Sequence, residues 1–332
     1  MAILKKVNIT LRYFSGFKKV LTKPTEEEIS NFKSKLFASS WKLNDDLIST
    51  YPAKQLYITL ESILDKSEPK FMESLDYNKI ALNETKNVNL LFKIGDKLPI
   101  GYTLAYCNPL SNESELSSDG YDNYHAPAID GKEYFKRRMW VSGSFNYNKE
   151  NPLKFGSVIK FTETVDRIKV LPRNGVIFAD YRREFNNELG ISVIEYRRLC
   201  YLNSDYENNE KINISSIIPD NSITVNPSII TSFRMSALTF NSHQIHYNPD
   251  YSRNIEKYPN PVIEAPLLIS MALQFWTNSN LNVTILSFKY KIMSPCFINE
   301  PLTINYKIQD DNIIKLWIMN KLTVCFDSTI QI

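Results

Sequence analysis

No apolar run in this chain approaches the ~18–20 residues that a helix needs to cross a bilayer, so the sequence offers no helical membrane span. Cysteine is sparse and scattered. Cys107, Cys200, Cys296 and Cys325 form no CxxC pair, which argues against a thiolate metal cluster and reads as buried free thiols in a reducing compartment. The formal net charge of +3 is too small to argue for a nucleic-acid partner. Glycine is scarce while Asn, Ile, Lys and Ser are abundant, a bias that speaks of genome composition rather than function. Against these absences stands apolar bulk: 43% hydrophobic and 12% aromatic residues over 332 positions suffice for a large core and two domains of ordinary size.

Acidic residues are missing from Met1 to Thr25, where Lys5, Lys6, Arg12, Lys18, Lys19 and Lys23 supply only positive charge. Ile3, Val7, Leu11 and Phe14 recur at helical spacing. A basic, amphipathic, acid-free start is the composition of a mitochondrial presequence, with Arg12-Tyr13-Phe14-Ser15 as a cleavage context; the alternative is a basic flexible tail. Residues 1–25 are therefore expected to be a leader, and the mitochondrial matrix the destination.

Histidine is the scarcest chemically active residue, and two of the three histidines, His243 and His246, fall close to Asn241. A polar segment and a Pro-marked turn at Tyr258–Pro261 follow, then an apolar run from Val262 to Trp276. Leu267, Leu268, Met271, Ala272 and Phe275 have helical spacing, which predicts a buried core helix. Pro266 suits its first turn, because proline lacks the N–H that the first turn cannot pair. The amides around Glu264 and Ala265 would then lie at a helix N-terminus, where they attract developing negative charge. An unperturbed imidazole titrates near neutrality, and His246 is the candidate to move protons here. Without further context, a structural histidine is the simpler reading.

The context comes from likeness. Thr239-Phe240-Asn241-Ser242-His243-Gln244-Ile245-His246-Tyr247, then Asp250-Tyr251-Ser252-Arg253, Tyr258-Pro259 and Pro266-Leu267-Leu268, resembles the hydratase motif of the MaoC-like, R-specific enoyl-thioester hydratases. The likeness is to their fungal mitochondrial 3-hydroxyacyl-thioester dehydratase branch and to mesaconyl-CoA hydratases, and it extends to Arg137-Arg138-Met139-Trp140 and to Ile194–Tyr201. The resemblance implies an α+β double hotdog, two repeats each with an antiparallel sheet wrapped round a long helix, of which only the second keeps the catalytic motif. It places the catalytic His on His246, and Asn241 where the broad family has Asp. Many relatives read His-Gly-Pro before the helix; here Glu264-Ala265-Pro266 stands there, so the oxyanion donor would be the Ala265 amide.

The rest of the chain fits that plan. Leu56, Leu60 and Leu64 give a helix over Ala53–Leu64, and 108–132 reads as a polar loop whose His125 is expected at the surface. Strand patterns follow at Ser157–Ile168, Val176–Phe185 and Ile191–Leu202, and again at Val283–Met293, Leu302–Gln309, Ile313–Met319 and Lys321–Phe326. The polar stretch 203–226 separates an N-terminal, non-catalytic repeat (26–202) from a C-terminal, catalytic one (227–332). Turns at Pro152–Val158 and Pro295–Pro301 hint at an internal repeat.

These readings lead to reversible dehydration of a (3R)-hydroxyacyl thioester to the trans-2-enoyl thioester, carried by acyl carrier protein or CoA, in mitochondrial fatty acid synthesis. His246 would transfer the proton, Asn241 would orient the hydroxyl or water, and the Ala265 amide would hold the enolate-like oxygen. His243 is expected to hydrogen-bond substrate rather than bind metal, since no third ligand stands at metal spacing. Glu264 either replaces the missing carboxylate or caps the helix. Arg137, Arg138, Arg253 and Lys257 are candidates for the phosphopantetheine phosphate, with a solvated surface as the equal alternative. No cofactor is expected, and two repeats in one chain allow a monomer. A non-catalytic acyl-thioester-binding protein and a hotdog thioesterase remain as alternatives.

Overall fold

A computed structural model of the chain describes residues 18–64, 91–171, 173–204, 206, 215–280 and 283–332. The helical spacing of Ile3 to Phe14 and the cleavage context at Arg12–Ser15 lie outside the described residues, as does the middle of the 203–226 stretch.

The first half begins with β1 (Lys18–Lys19), α1 (Glu26–Ala38), β2 (Ser40–Leu47) and α2 (Thr50–Leu64). Thr25 and Glu28 close a reciprocal capping box on α1: the Glu28 amide donates to Thr25 Oγ1 at 3.2 Å and the Thr25 amide to Glu28 Oε2 at 2.9 Å. Helix α1 buries Phe32 and Leu36, one turn apart. Helix α2 buries Ala53, Leu56, Leu60 and Leu64 on one face, the spacing that the sequence shows. Short β3 (Ala128–Ile129) and β4 (Lys132–Glu133) precede the long strands β5 (Arg137–Tyr147), β6 (Val158–Val170), β7 (Ile177–Asn187) and β8 (Gly190–Leu202).

The second half contains β9 (Asn221–Val225), α3 (Ile229–Leu238), α4 (Pro249–Asn254), α5 (Ala265–Ser279), β10 (Ser287–Ile292), β11 (Leu302–Asp310), β12 (Ile313–Asn320) and β13 (Thr323–Gln331). The separating stretch 203–226 is thus not all connection. Its last residues, β9, pair with β11 and form the edge of the main sheet.

One ten-stranded sheet runs β2-β6-β7-β8-β5-β10-β13-β12-β11-β9. Each half has the same plan: an edge strand, a helical section, an inner strand, then a three-stranded meander that starts beside the edge strand and ends beside the inner one. The halves meet where β5 pairs antiparallel with β10, Phe145 opposite Phe288 and Gly143 opposite Tyr290. Only glycine fits at 143, because a Cβ there would stand 2.3 Å from both Tyr196 O and Tyr290 Oη. The 152–158 and 295–301 turns occupy equivalent places, after β5 and after β10.

Helices α2 and α5 share one apolar core with the sheet; Leu56 and Leu60 belong to the same cluster as Leu267, Met271, Phe288 and Leu316. Helix α5 is buried nearly all round. It starts at Ala265, later than the apolar run, because Val262 and Ile263 are held extended: their amides donate to Ile245 O (2.8 Å) and Cys296 O (2.8 Å).

Candidate active site

The motif around His246 is folded by main-chain bonds between α3, the 241–247 turn and the segment entering α5. Asn241 N donates to Ser236 O (2.8 Å) and His246 N to His243 O (3.2 Å). Ser232 Oγ, on α3, donates to His246 O at 2.8 Å. The His246 ring places Nδ1 2.8 Å from Val262 O. A carbonyl oxygen only accepts, so Nδ1 carries the hydrogen and Nε2 keeps its lone pair.

Asn241 Oδ1 accepts the His243 amide at 3.1 Å, leaving the Asn241 amide nitrogen to donate toward Glu264. Glu264 occupies the position before the first turn of α5, and its carbonyl accepts from Leu267 N and Leu268 N at 3.1 Å. Its side chain makes no capping bond. The capping reading therefore gives way to a different placement: the carboxylate is 1% exposed, with Oε1 accepting from Ser236 Oγ and Oε2 from Thr239 Oγ1 at 3.5 Å. Burial raises its pKa above the usual carboxylate value, against the pull of His246 and of the Ser236, Asn241 and Thr239 donors. The Ala265 amide meets no backbone carbonyl among the described residues, as expected for the first amide of a helix.

The first half supplies the opposite wall. Within the 108–132 stretch, Asp119 is 2% exposed and gathers Arg138 Nη2 (3.4 Å), His243 Nε2 (3.6 Å) and Lys19 Nζ (3.7 Å) around Oδ2. Burial alone would raise the Asp119 pKa, but the charges of Arg138 and Lys19 hold it well below the ordinary range. Burial drives His243 the other way, well below neutrality despite Asp119, so this ring is neutral. The rings of His243 and His246 meet edge to face at 5.4 Å.

The arginines do not form an exposed basic rim. Arg138 is 7% exposed, lies 4.3 Å from the Tyr121 ring centroid, and lines the cavity described below. Arg137 is 6% exposed and donates from Nε to Ser204 O at 2.8 Å. Arg253 is exposed but its guanidinium donates to Pro259 O and Asn260 Oδ1. Neither Arg137 nor Arg253 lines the cavity.

His125 is likewise not at the surface. It is 6% exposed, with Nδ1 against Glu163 Oε1. Glu163 also receives Arg183 Nε at 2.7 Å, and Arg183 Nη1 reaches Glu195 at 2.7 Å. Arg183 sits at an inward position of β7, whose alternate residues are buried, so the charge is carried inside by strand period and must be paired there.

A cavity of about 210 Å³ opens between these walls. Asn241, His243, His246, Glu264 and Ala265 line it from the second half, and Leu104, Tyr121, Tyr124, Arg138, Trp140 and Arg197 from the first. The sequence motif named the residues of the second half; Asp119 and Tyr121, in a stretch read as loop, carried no periodic signal. Among the described residues no three His, Cys, Asp or Glu side chains converge in a way that would hold a metal ion.

The chain is 29% identical to the mitochondrial hydroxyacyl-thioester dehydratase type 2 of Schizosaccharomyces pombe, over 61% of this chain and 76% of that one. It is 24% identical to the mesaconyl-C(4)-CoA hydratase of Chloroflexus aurantiacus, over 63% and 74% respectively. Its fold is similar to that of a MaoC-like dehydratase from Phytophthora capsici, with a TM-score of 0.62 at 11% identity, covering 90% of this chain and 96% of that one. The family model for hydroxyacyl-thioester dehydratase type 2 matches residues 101–298, which include both walls of the cavity. The chain is a double-hotdog dehydratase and belongs to the hydroxyacyl-thioester dehydratase type 2 family.

Proposed function

We propose that the chain interconverts (3R)-hydroxyacyl and trans-2-enoyl thioesters in mitochondrial fatty acid synthesis, with His246 as the proton-transferring residue and the Ala265 amide as oxyanion donor. The observation that carries this reading is that His246, whose Nδ1 faces Val262 O, and Ala265, the first residue of α5, whose amide meets no backbone carbonyl among the described residues, line one cavity. The α-proton of a thioester is weakly acidic. A base must remove it while the carbonyl oxygen, gaining charge, meets a fixed donor. His246 Nε2 is the base, held in one tautomer by Val262 O. The Ala265 N–H is the donor, helped by the aligned dipoles of α5. Asn241 spends its side chain on the His243 amide and on Glu264, so it positions the site more than it touches the hydroxyl.

The carrier is an acyl carrier protein or coenzyme A. The relative named above as mitochondrial, together with the basic, acid-free start of the chain, favours the mitochondrial matrix. A leader cut near Ser15 would spare β1, where Lys18 and Lys19 pair with Lys132 and Glu133.

The test is hydration of crotonyl and longer enoyl thioesters, followed by loss of the conjugated-enoyl absorbance with free thiol measured in parallel. Turnover without thiol release, abolished by His246→Ala in a folded protein, is the expected result. Thiol release would indicate a thioesterase, and binding without turnover a non-catalytic carrier-binding protein.

A further inference from the structure

The dehydration needs two proton movements, and His246 supplies one. The hydroxyl leaves C3 as water only if something protonates it, and Asn241, standing where the broad family has Asp, cannot. Glu264 is the carboxyl group among the second-half residues on the cavity wall. Its surroundings are unlike those of a structural carboxylate. It is 1% exposed, it does not cap the helix it precedes, and its hydrogen bonds come from neutral groups, the Ser236 and Thr239 hydroxyls and the Asn241 amide. The positive influence on it comes from His246.

We propose that Glu264 is the second catalytic residue of the site, the acid that protonates the departing hydroxyl while His246 Nε2 accepts the α-proton. This rests on the dehydratase reading of the same cavity. In the dehydration direction the C2–H pair becomes the C2=C3 bond, the C3–O bond breaks, and the hydroxyl leaves with the Glu264 proton as water. His246 ends as imidazolium and Glu264 as carboxylate, and transfer of one proton from ring to carboxylate through water restores the start. Hydration runs the same steps backwards. The pair therefore works with one proton between its two members in both directions, and the rate should be bell-shaped in pH. Burial, which favours the protonated carboxyl, agrees with this role.

Glu264→Gln keeps size and hydrogen-bonding capacity but has no proton to give. Its kcat should fall by about 100-fold or more, the ordinary contribution of a positioned acid, while a saturated acyl thioester binds with unchanged Kd. A purely structural Glu264 would leave kcat within about threefold and the pH profile unmoved, and that result overturns the proposal. Should Glu264→Gln also lose the saturated ligand, Glu264→Asp decides: a carboxyl with a different pKa must shift one limb of the bell, and an unshifted profile overturns the assignment. If the wild-type chain itself turns over no enoyl thioester, it is the dehydratase reading that fails, a result separate from active wild type with an active Gln variant.

Discussion

The imidazole of His246 lies with Nδ1 2.8 Å from the carbonyl oxygen of Val262, a bond between the motif turn and the residue three positions before α5. It fixes the ring's tautomer and ties His246 to the segment entering the helix whose first residue, Ala265, lines the same cavity. His246→Asn can keep the donor to Val262 O but lacks Nε2. Its turnover should drop by about 10²- to 10⁴-fold with little change in melting temperature. His246→Ala should lose both activity and stability, the latter by about 1 kcal/mol because a partly buried carbonyl is left without its donor. Steady-state kinetics and thermal melts of the two variants separate the effects.

Asp119 makes an acid-sensitive link between the halves. Its folded-state pKa is depressed by Arg138 and Lys19, so it contributes stability above its unfolded value, and that contribution is lost as pH falls through the folded one. Denaturation midpoints of the wild type should decline below about pH 4, the unfolded carboxylate range. Asp119→Asn should be less stable at pH 7 by about 3–5 kcal/mol, the usual cost of stranding a buried charge partner, and its stability should depend less on pH in that acid range. An unchanged acid limb in the variant would show that other carboxylates dominate.

Gly143 sits at the seam between the repeats. A methyl group there meets a backbone carbonyl and a buried tyrosine hydroxyl that also accepts from Trp140 Nε1 at 2.8 Å. Gly143→Ala should destabilise by about 1–3 kcal/mol or more through overpacking, read as a lower urea midpoint with unchanged slope.

Restoring the glycine common before the helix in relatives provides a control for the oxyanion assignment. Ala265→Gly keeps the amide and removes a methyl group. If the main-chain N–H carries the role, kcat should change by no more than about threefold, since the donor is retained. A larger loss would mean that the alanine side chain itself shapes the substrate's path.

The elements that packing dictates were legible in the chain. Leu56, Leu60 and Leu64 appear on α2 as spaced, and the apolar run after Pro261 became α5. The hydratase motif marked His246, Asn241 and Ala265, and all line one cavity. What stayed hidden were buried polar groups carried by irregular or amphipathic segments. His125, Asp119, Arg137 and Arg138 look like solvent-facing residues in one dimension, because their burial depends on partners far away, such as Glu163 for His125 and Ser204 for Arg137. Glu264 shows the same limit. The residue before a helix usually caps it, and only the positions of Ser236 and Thr239 reveal that this side chain turns inward.

The antiparallel pairing of β5 with β10 has a consequence for how this protein behaves at low abundance. Because the partners are tethered, their association is intramolecular and does not weaken on dilution, unlike that of two separate subunits. Tethering also releases the halves from symmetry: one could lose its reactive groups and contribute Tyr121, Arg138 and Trp140 as a wall for the other.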